Sequence, residues 1–163
     1  MLREVSLEPQ GSLWPPPLWR AVKDGDDLAR MFFDRHYSRR HYRDGRKPKL
    51  FVGPGEKLVL VTPCRRGLFV WRKFISRDGQ RGVNCAVFRN EGAGLSSHLI
   101  READIVADKR WPGERHFTYV DPVATAARRS RHAQAGECFI HAGWQPCGMT
   151  KSNRLAILER LPL

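Results

Sequence analysis

Residues 83–109, VNCAVFRNEGAGLSSHLIREADIVADK, decide the fold. Val83, Cys85 and Val87 alternate with Asn84, Ala86 and Phe88 over a β-rich run, the two-residue period of a strand. The period then changes. Leu99, Ile100, Ala103, Val106 and Ala107 recur three and four apart, while Arg101, Glu102, Asp104, Asp108 and Lys109 fall elsewhere, which is the pattern of an amphipathic helix. Ser96 or Ser97 is the expected N-cap, and Trp111-Pro112-Gly113 the stop. Between strand and helix stand Arg89, Gly92 and Gly94. Glycines let an anion approach the backbone, and the first turn of a helix offers unpaired N–H groups, so this turn either cradles a phosphate or simply joins strand to helix.

Outward from this unit, the N-terminal side reads as an antiparallel meander. Leu18 to Val22 is a candidate strand, Asp24-Gly25-Asp26-Asp27 a turn and helix start, and Leu28, Met31 and Phe32 one helical apolar face. Lys57 to Thr62 and Leu68 to Ile75 form a hairpin, and Arg77-Asp78-Gly79-Gln80 turns the chain back into Val83. Downstream, Arg115 to Asp121 is a strand with Phe117, Tyr119 and Asp121 on one face. Pro122 to Gln134 is a polar, basic loop carrying Arg128, Arg129 and Arg131, and Arg154 to Leu161 is a last strand. Residues 1–17, with Pro15, Pro16 and Pro17 between Trp14 and Trp19, read as an extended appendage to a single domain of residues 18–163.

Composition limits the function classes. A chain of 163 residues buries roughly two thirds of its unfolded surface, and 41% hydrophobic with 10% aromatic residues is a globular composition. Lys and Arg number 29 against 17 Asp and Glu, a net charge of +12, which favours a polyanionic partner and nucleic acid first. The charge concentrates in residues 35–49, RHYSRRHYRDGRKPK, with seven Lys or Arg and one Asp. His36, Tyr37, Arg39, Arg40 and Arg43, together with Arg128 and Arg129, are the candidate nucleic-acid contacts, the arginines for phosphates and Tyr37 for a base; a solvated basic loop is the plainer reading. Cys64, Cys85, Cys138 and Cys147 show no C-x-x-C pair and read as free thiols of a cytoplasmic protein. Met1 to Gln10 lacks an apolar run, and no stretch approaches the roughly 20 apolar residues of a membrane helix. His98 and His141 read as surface or packing residues, and no His, Asp or Glu set has metal-ligand spacing.

Arg89-x-x-Gly92-x-Gly94 between a strand and an amphipathic helix resembles the acyl-CoA-binding motif of the GNAT acyltransferases. So does the order of the later segments, through Ala135 to the glycine-aromatic pair Gly143-Trp144 and the last strand. The resemblance covers Leu18 to Leu161. It implies an α/β fold, a mixed and mostly antiparallel sheet flanked by helices, with acetyl-CoA or another acyl-CoA as cofactor. The Val87 strand would pair with the pantetheine arm, and Arg89, Gly92, Gly94, Ser96 and Ser97 would hold the phosphates. Many GNAT enzymes carry an acid tyrosine four residues before that pair's glycine, where this chain has Phe139; Tyr119 and Asp121 at the strand end are then the candidates for the reacting centre, with Asn84 to polarise a carbonyl. The basic stretch Arg35 to Arg40, Phe69-Val70-Trp71-Arg72 and Tyr119-Val120-Asp121-Pro122 are similar to the phage-encoded Mom-like proteins, which add a carbamoylmethyl group to adenine in DNA. The expectation is therefore an acyl-CoA-type transferase modifying an amine of DNA in a host cytoplasm. A GNAT enzyme acting on a protein or small amine, and a non-catalytic nucleic-acid-binding protein, are the alternatives.

Overall fold

In the computed structural model, residues 17–126 and 132–163 are described. The elements run β1 Arg20–Val22, α1 Asp27–Asp34, β2 Glu56–Val61, β3 Gly67–Lys73, β4 Val83–Asn90, α2 Ser96–Arg110, β5 His116–Val120, α3 Glu137–His141, β6 Gln145–Met149 and β7 Ala156–Arg160. The seven strands form one sheet in the order β1-β2-β3-β4-β5-β7-β6. Every neighbouring pair is antiparallel except β4 and β5. The result is an α/β fold with a mixed, mostly antiparallel sheet flanked by helices, as expected. Among the described residues no helix is long and apolar enough to cross a membrane.

The sheet separates two cores. On one face α1 buries Leu28, Ala29 and Phe32 against Val59, Val61, Leu68, Val70 and Val87. Asp26 caps this helix, its Oδ2 accepting from the Ala29 amide at 3.1 Å. On the other face α2 packs Leu99, Ile100, Ala103 and Ala107 against Phe69, Trp71, Val83, Cys85 and Trp144. Trp19 closes that core, its indole donating to the Leu99 carbonyl at 2.9 Å.

Three sequence expectations need correction here. Strict alternation put Cys85 and Val87 on one face of β4, but they lie in opposite cores. The pairing with β3 slips between Val70 and Trp71, so Val70 faces Val87 while Trp71 faces Cys85. The extra residue in β4 is Ala86, and such a bulge inverts which side chains point to which face beyond it. Second, Asp104, which the spacing sets off the apolar face of the helix, is 3% exposed. It accepts from His116 Nδ1 at 2.7 Å and from the Trp144 indole at 3.0 Å. Arg160 beside it grips Asp108 with two hydrogen bonds, so a polar network ties α2 to β5 and β7. Third, the strand β6 falls in a stretch with no strand pattern. Its five residues are all exposed, so no buried face imposed an alternation on them. Residues 1–16 of the appendage, Trp14 among them, lie outside the described residues, as do Arg128, Arg129 and Arg131.

Candidate functional site at the parting of two strands

The parallel pair β4 and β5 is bonded only over Val83–Cys85 against His116–Thr118. Gly82 makes this start possible, because a Cβ there would collide with the Arg115 carbonyl, to which the Val83 amide donates at 2.7 Å. Thr118 Oγ1 donates to the Cys85 carbonyl at 3.0 Å and ends the ladder. Past that point β4 continues along β3 while β5 follows β7. The strands part, and the gap holds a cavity of about 620 Å³. Cys85, Val87 and Phe88 of β4, Leu95 to Ser97, and Cys138 and Phe139 of α3 line it. A chamber of about 360 Å³, lined by Asn84, Tyr119, Asp121, Ala124 and Leu155, adjoins it. Tyr37, Ser38, Cys85, Ala86 and Tyr119 belong to both walls, so the two spaces meet at the parting of the strands.

The glycine turn forms one end of the large cavity. Gly94 adopts φ 137°, a conformation closed to most side chains, with open space where a Cβ would stand. Asn90 organises the turn: its Oδ1 accepts from the Gly92 and Ala93 amides at 3.1 and 2.9 Å, and its Nδ2 donates to the Gly94 carbonyl and to Ser96 Oγ. Asn90 is not among the sequence candidates, although an Asn two residues before a glycine is a turn signal. Neither serine caps α2. The N-cap is Leu95, in extended conformation and without a side-chain bond, while Ser96 Oγ is taken by Asn90 and Ser97 is buried. The Gly94, Leu95, Ser96 and Ser97 amides therefore make no hydrogen bond to any described residue, and Gly94 to Ser97 border the cavity.

Arg89 is not part of that wall. The bulge sends its side chain to the α1 face, where Nε donates to Glu91 Oε1 at 2.6 Å and Nη1 to the Arg35 carbonyl at 2.8 Å. Glu91 also takes both nitrogens of the Arg35 fork at 2.7 and 2.6 Å. Hydrogen bonding from Arg35, with Arg89 behind it, holds the Glu91 carboxyl down at about 2. The guanidinium beside the turn is that of Arg66 in the β2–β3 connection, whose Nη1 lies 3.7 Å from the Cβ position of Gly92. Nothing in the sequence connects residues so far apart.

Of the residues expected at the reacting centre, Tyr119 stands between the two spaces and donates to Asp78 Oδ1 at 2.7 Å. Burial pushes its phenol up to about 12, and the Asp78 carboxylate adds to this. Asp121 lines the chamber, but its Oδ1 accepts from the Val123 and Ala124 amides at 2.9 and 3.0 Å, closing the turn after β5. Asn84 is buried and donates to the Phe117 carbonyl at 3.3 Å, a tie between strands on the chamber wall. Phe139, 5% exposed, packs on Phe88 and Trp144 in the cavity wall.

The basic segment divides. Tyr37 leans into the parting of the strands, its ring stacked on His36 at 4.5 Å between centroids. Its phenol faces the Asp121 backbone and the Cys85 and Cys138 thiols; burial raises its pKa and the Asp121 backbone opposes the rise. Arg39 is held by Asp34 at 3.3 Å, Arg40 lies over the Tyr42 ring, and Arg43 is exposed. Cys138, absent from the sequence candidates, lines the cavity with its thiol raised by burial to about 11. Among the described residues no group of three His, Cys, Asp or Glu converges as a metal site would require.

Comparison with models of known protein families finds no match. No curated protein is significantly similar to the chain in sequence.

Proposed function

We propose that this chain is a GNAT-like transferase that moves an acyl-type group from a coenzyme A thioester to an amine of a DNA base. One observation carries the reading: two spaces of unequal size meet where β4 and β5 part, one ending in unpaired helix amides and the other in hydroxyl, amide and carboxylate groups. A large apolar channel with an anion-seeking end suits a long thiol cofactor with phosphates at one end. The unpaired amides of Gly94 to Ser97, with Arg66 beside them, would hold the phosphates, and the β4 backbone from Ala86 to Phe88, unpaired on its β5 side, would meet the extended arm. When bound, the thioester supplies an activated acyl carbon.

The chain's own groups then have defined tasks. The chamber positions the acceptor amine, with Asn84, Asp121 and Tyr37 on its wall. In the net transfer the C–N bond forms, the C–S bond breaks, and one proton passes from nitrogen to sulfur. Tyr37, Ser38 and Tyr119 are the hydroxyl-bearing residues common to the walls of both spaces, and with Tyr119 raised to about 12, its hydroxyl donating to Asp78 at rest, it remains protonated at neutral pH, as a proton donor must. The net charge of +12 and the basic loop that carries Tyr37 favour nucleic acid over a peptide or small amine as acceptor. A second reading, a nucleic-acid-binding protein without catalysis, is favoured by Phe139, which leaves α3 without a hydroxyl in the cavity.

The test is a calorimetric titration with acetyl-CoA of the wild type and of Cys138→Trp, whose indole would obstruct the cavity that Cys138 lines. Saturable binding in the wild type that is lost in the folded variant supports the transferase reading. No binding by folded wild type overturns it.

A further inference from the structure

We propose that the β6–β7 turn, residues 150–155, is a nucleic-acid contact that grips the phosphates flanking a base delivered to the smaller chamber. The proposal rests on the nucleic-acid reading above and adds an element outside the basic segment of residues 35–49. The pairing of Ala156 with Val120 sets this turn beside the end of β5, where Tyr119 and Asp121 enter the chamber. Leu155, the last residue of the turn, itself lines the chamber wall. Tyr37 and Ser38 line the same chamber, so a strand presenting a base there runs between the loop that follows α1 and the β6–β7 turn.

The turn is firmly shaped. The Thr150 amide donates to the Leu155 carbonyl at 2.9 Å, and Thr150 Oγ1 accepts from the Leu155 amide at 2.9 Å. Within it stand Lys151, Ser152, Asn153 and Arg154, all exposed and with no acid among them. Neither Lys151 nor Arg154 has an ion pair or side-chain hydrogen bond among the described residues. Arg35 and Arg89 are neutralised by Glu91, Arg39 by Asp34, Arg115 by Glu159, and Arg160 by Asp108; Arg40, Arg43, Arg66 and Arg77 also have no ion pair among the described residues, and what singles out Lys151 and Arg154 is their place beside the chamber. Arg154 also holds a left-handed backbone, φ 51°, where glycine or asparagine is the usual occupant. An arginine fork, a lysine point charge and two small polar side chains are the groups that commonly bind phosphate oxygens and fix the register of a strand.

The experiment measures binding of a fluorescent single-stranded oligonucleotide, and of the matching duplex, across a salt series. Three proteins are compared: wild type, Lys151→Gln with Arg154→Gly, and a charge-matched control, Lys23→Gln with Lys109→Gln. Lys23 and Lys109 are exposed near the opposite end of the sheet, by the start of β2 and the last turn of α2. Arg154→Gly removes the charge and relieves the backbone, so the first variant should melt no lower than wild type. The proposal expects the slope of log K against log salt to shrink by about 0.7–0.9 for each lost phosphate contact in the turn variant, and far less in the control. Equal losses in the two variants, or none, would overturn it while leaving the nucleic-acid reading in place. Wild type that binds neither oligonucleotide would overturn both.

Discussion

Replacing Glu91 by Gln should cost stability in a way that depends on pH. This carboxylate is the shared counterion of Arg35 and Arg89, with three charge-assisted hydrogen bonds of 2.6–2.7 Å. A carboxyl lowered from 4.5 to about 2 corresponds by linkage to at most about 3–4 kcal/mol. The Arg35 side chain is 41% exposed, so solvent and salt screen the cluster, and about 1–2 kcal/mol is the expected net contribution. Because the folded-state pKa is depressed, the contribution is complete above the unfolded value of 4.5 and fades as pH falls toward 2. Urea unfolding of wild type and Glu91→Gln should therefore differ by about 1–2 kcal/mol at pH 7, a drop of about 2–8 °C in Tm. The difference should narrow steadily between pH 5 and pH 3. A gap of constant size across that range, or no gap at pH 7, would refute the assignment of Glu91 as an ionised clamp. The clamp has a functional side too, since it ties the segment bearing Tyr37 to the turn bearing Gly92 and Gly94.

Other residues give sharper separations between folding and chemistry. Asp104→Ala removes the carboxylate that His116 Nδ1 and the Trp144 indole share in the core, and should lower stability by about 3–5 kcal/mol in chemical unfolding. Arg89→Ala should change acetyl-CoA affinity by less than about threefold, or ~0.7 kcal/mol, by calorimetry, because its guanidinium is committed to Glu91 and the Arg35 carbonyl. Tyr119→Phe removes one hydrogen bond to Asp78 and about 1 kcal/mol of stability. As a proton donor its loss should slow turnover about 100-fold, and the wild-type rate should show no tyrosine ionisation below pH 10, since the phenol lies near 12.

The parts of this fold that could be read in the sequence are those where local pattern and tertiary packing agree. The change from period two to period 3.6 marks the junction of β4 and α2 because one face of each element packs into the same core. Asp26 announces α1 because a cap is a local bond. Reading failed where a distant partner decides. Asp104 sits in a helix rich in charge, and only His116 and Trp144 make its burial tolerable. The Ala86 bulge is a property of β4 against β3, invisible in β4 alone, and it carries Arg89 away from the glycine turn. β6 faces solvent on both sides, so nothing constrained its residues to a pattern. At the site, Gly94, Tyr119 and Tyr37 were legible as residue types in context, whereas Arg66, Cys138 and the β6–β7 turn arrive there only through the folding of remote segments.

The most direct test of a transferase acting on DNA is mass spectrometry of nucleosides from the DNA of cells expressing this protein, beside cells expressing Cys138→Trp. A nucleoside heavier than its unmodified parent, present with the wild type and absent with the variant, is the predicted result, and its mass identifies the transferred group. Unmodified DNA from cells holding abundant, folded, acetyl-CoA-binding wild type would contradict DNA as the acceptor.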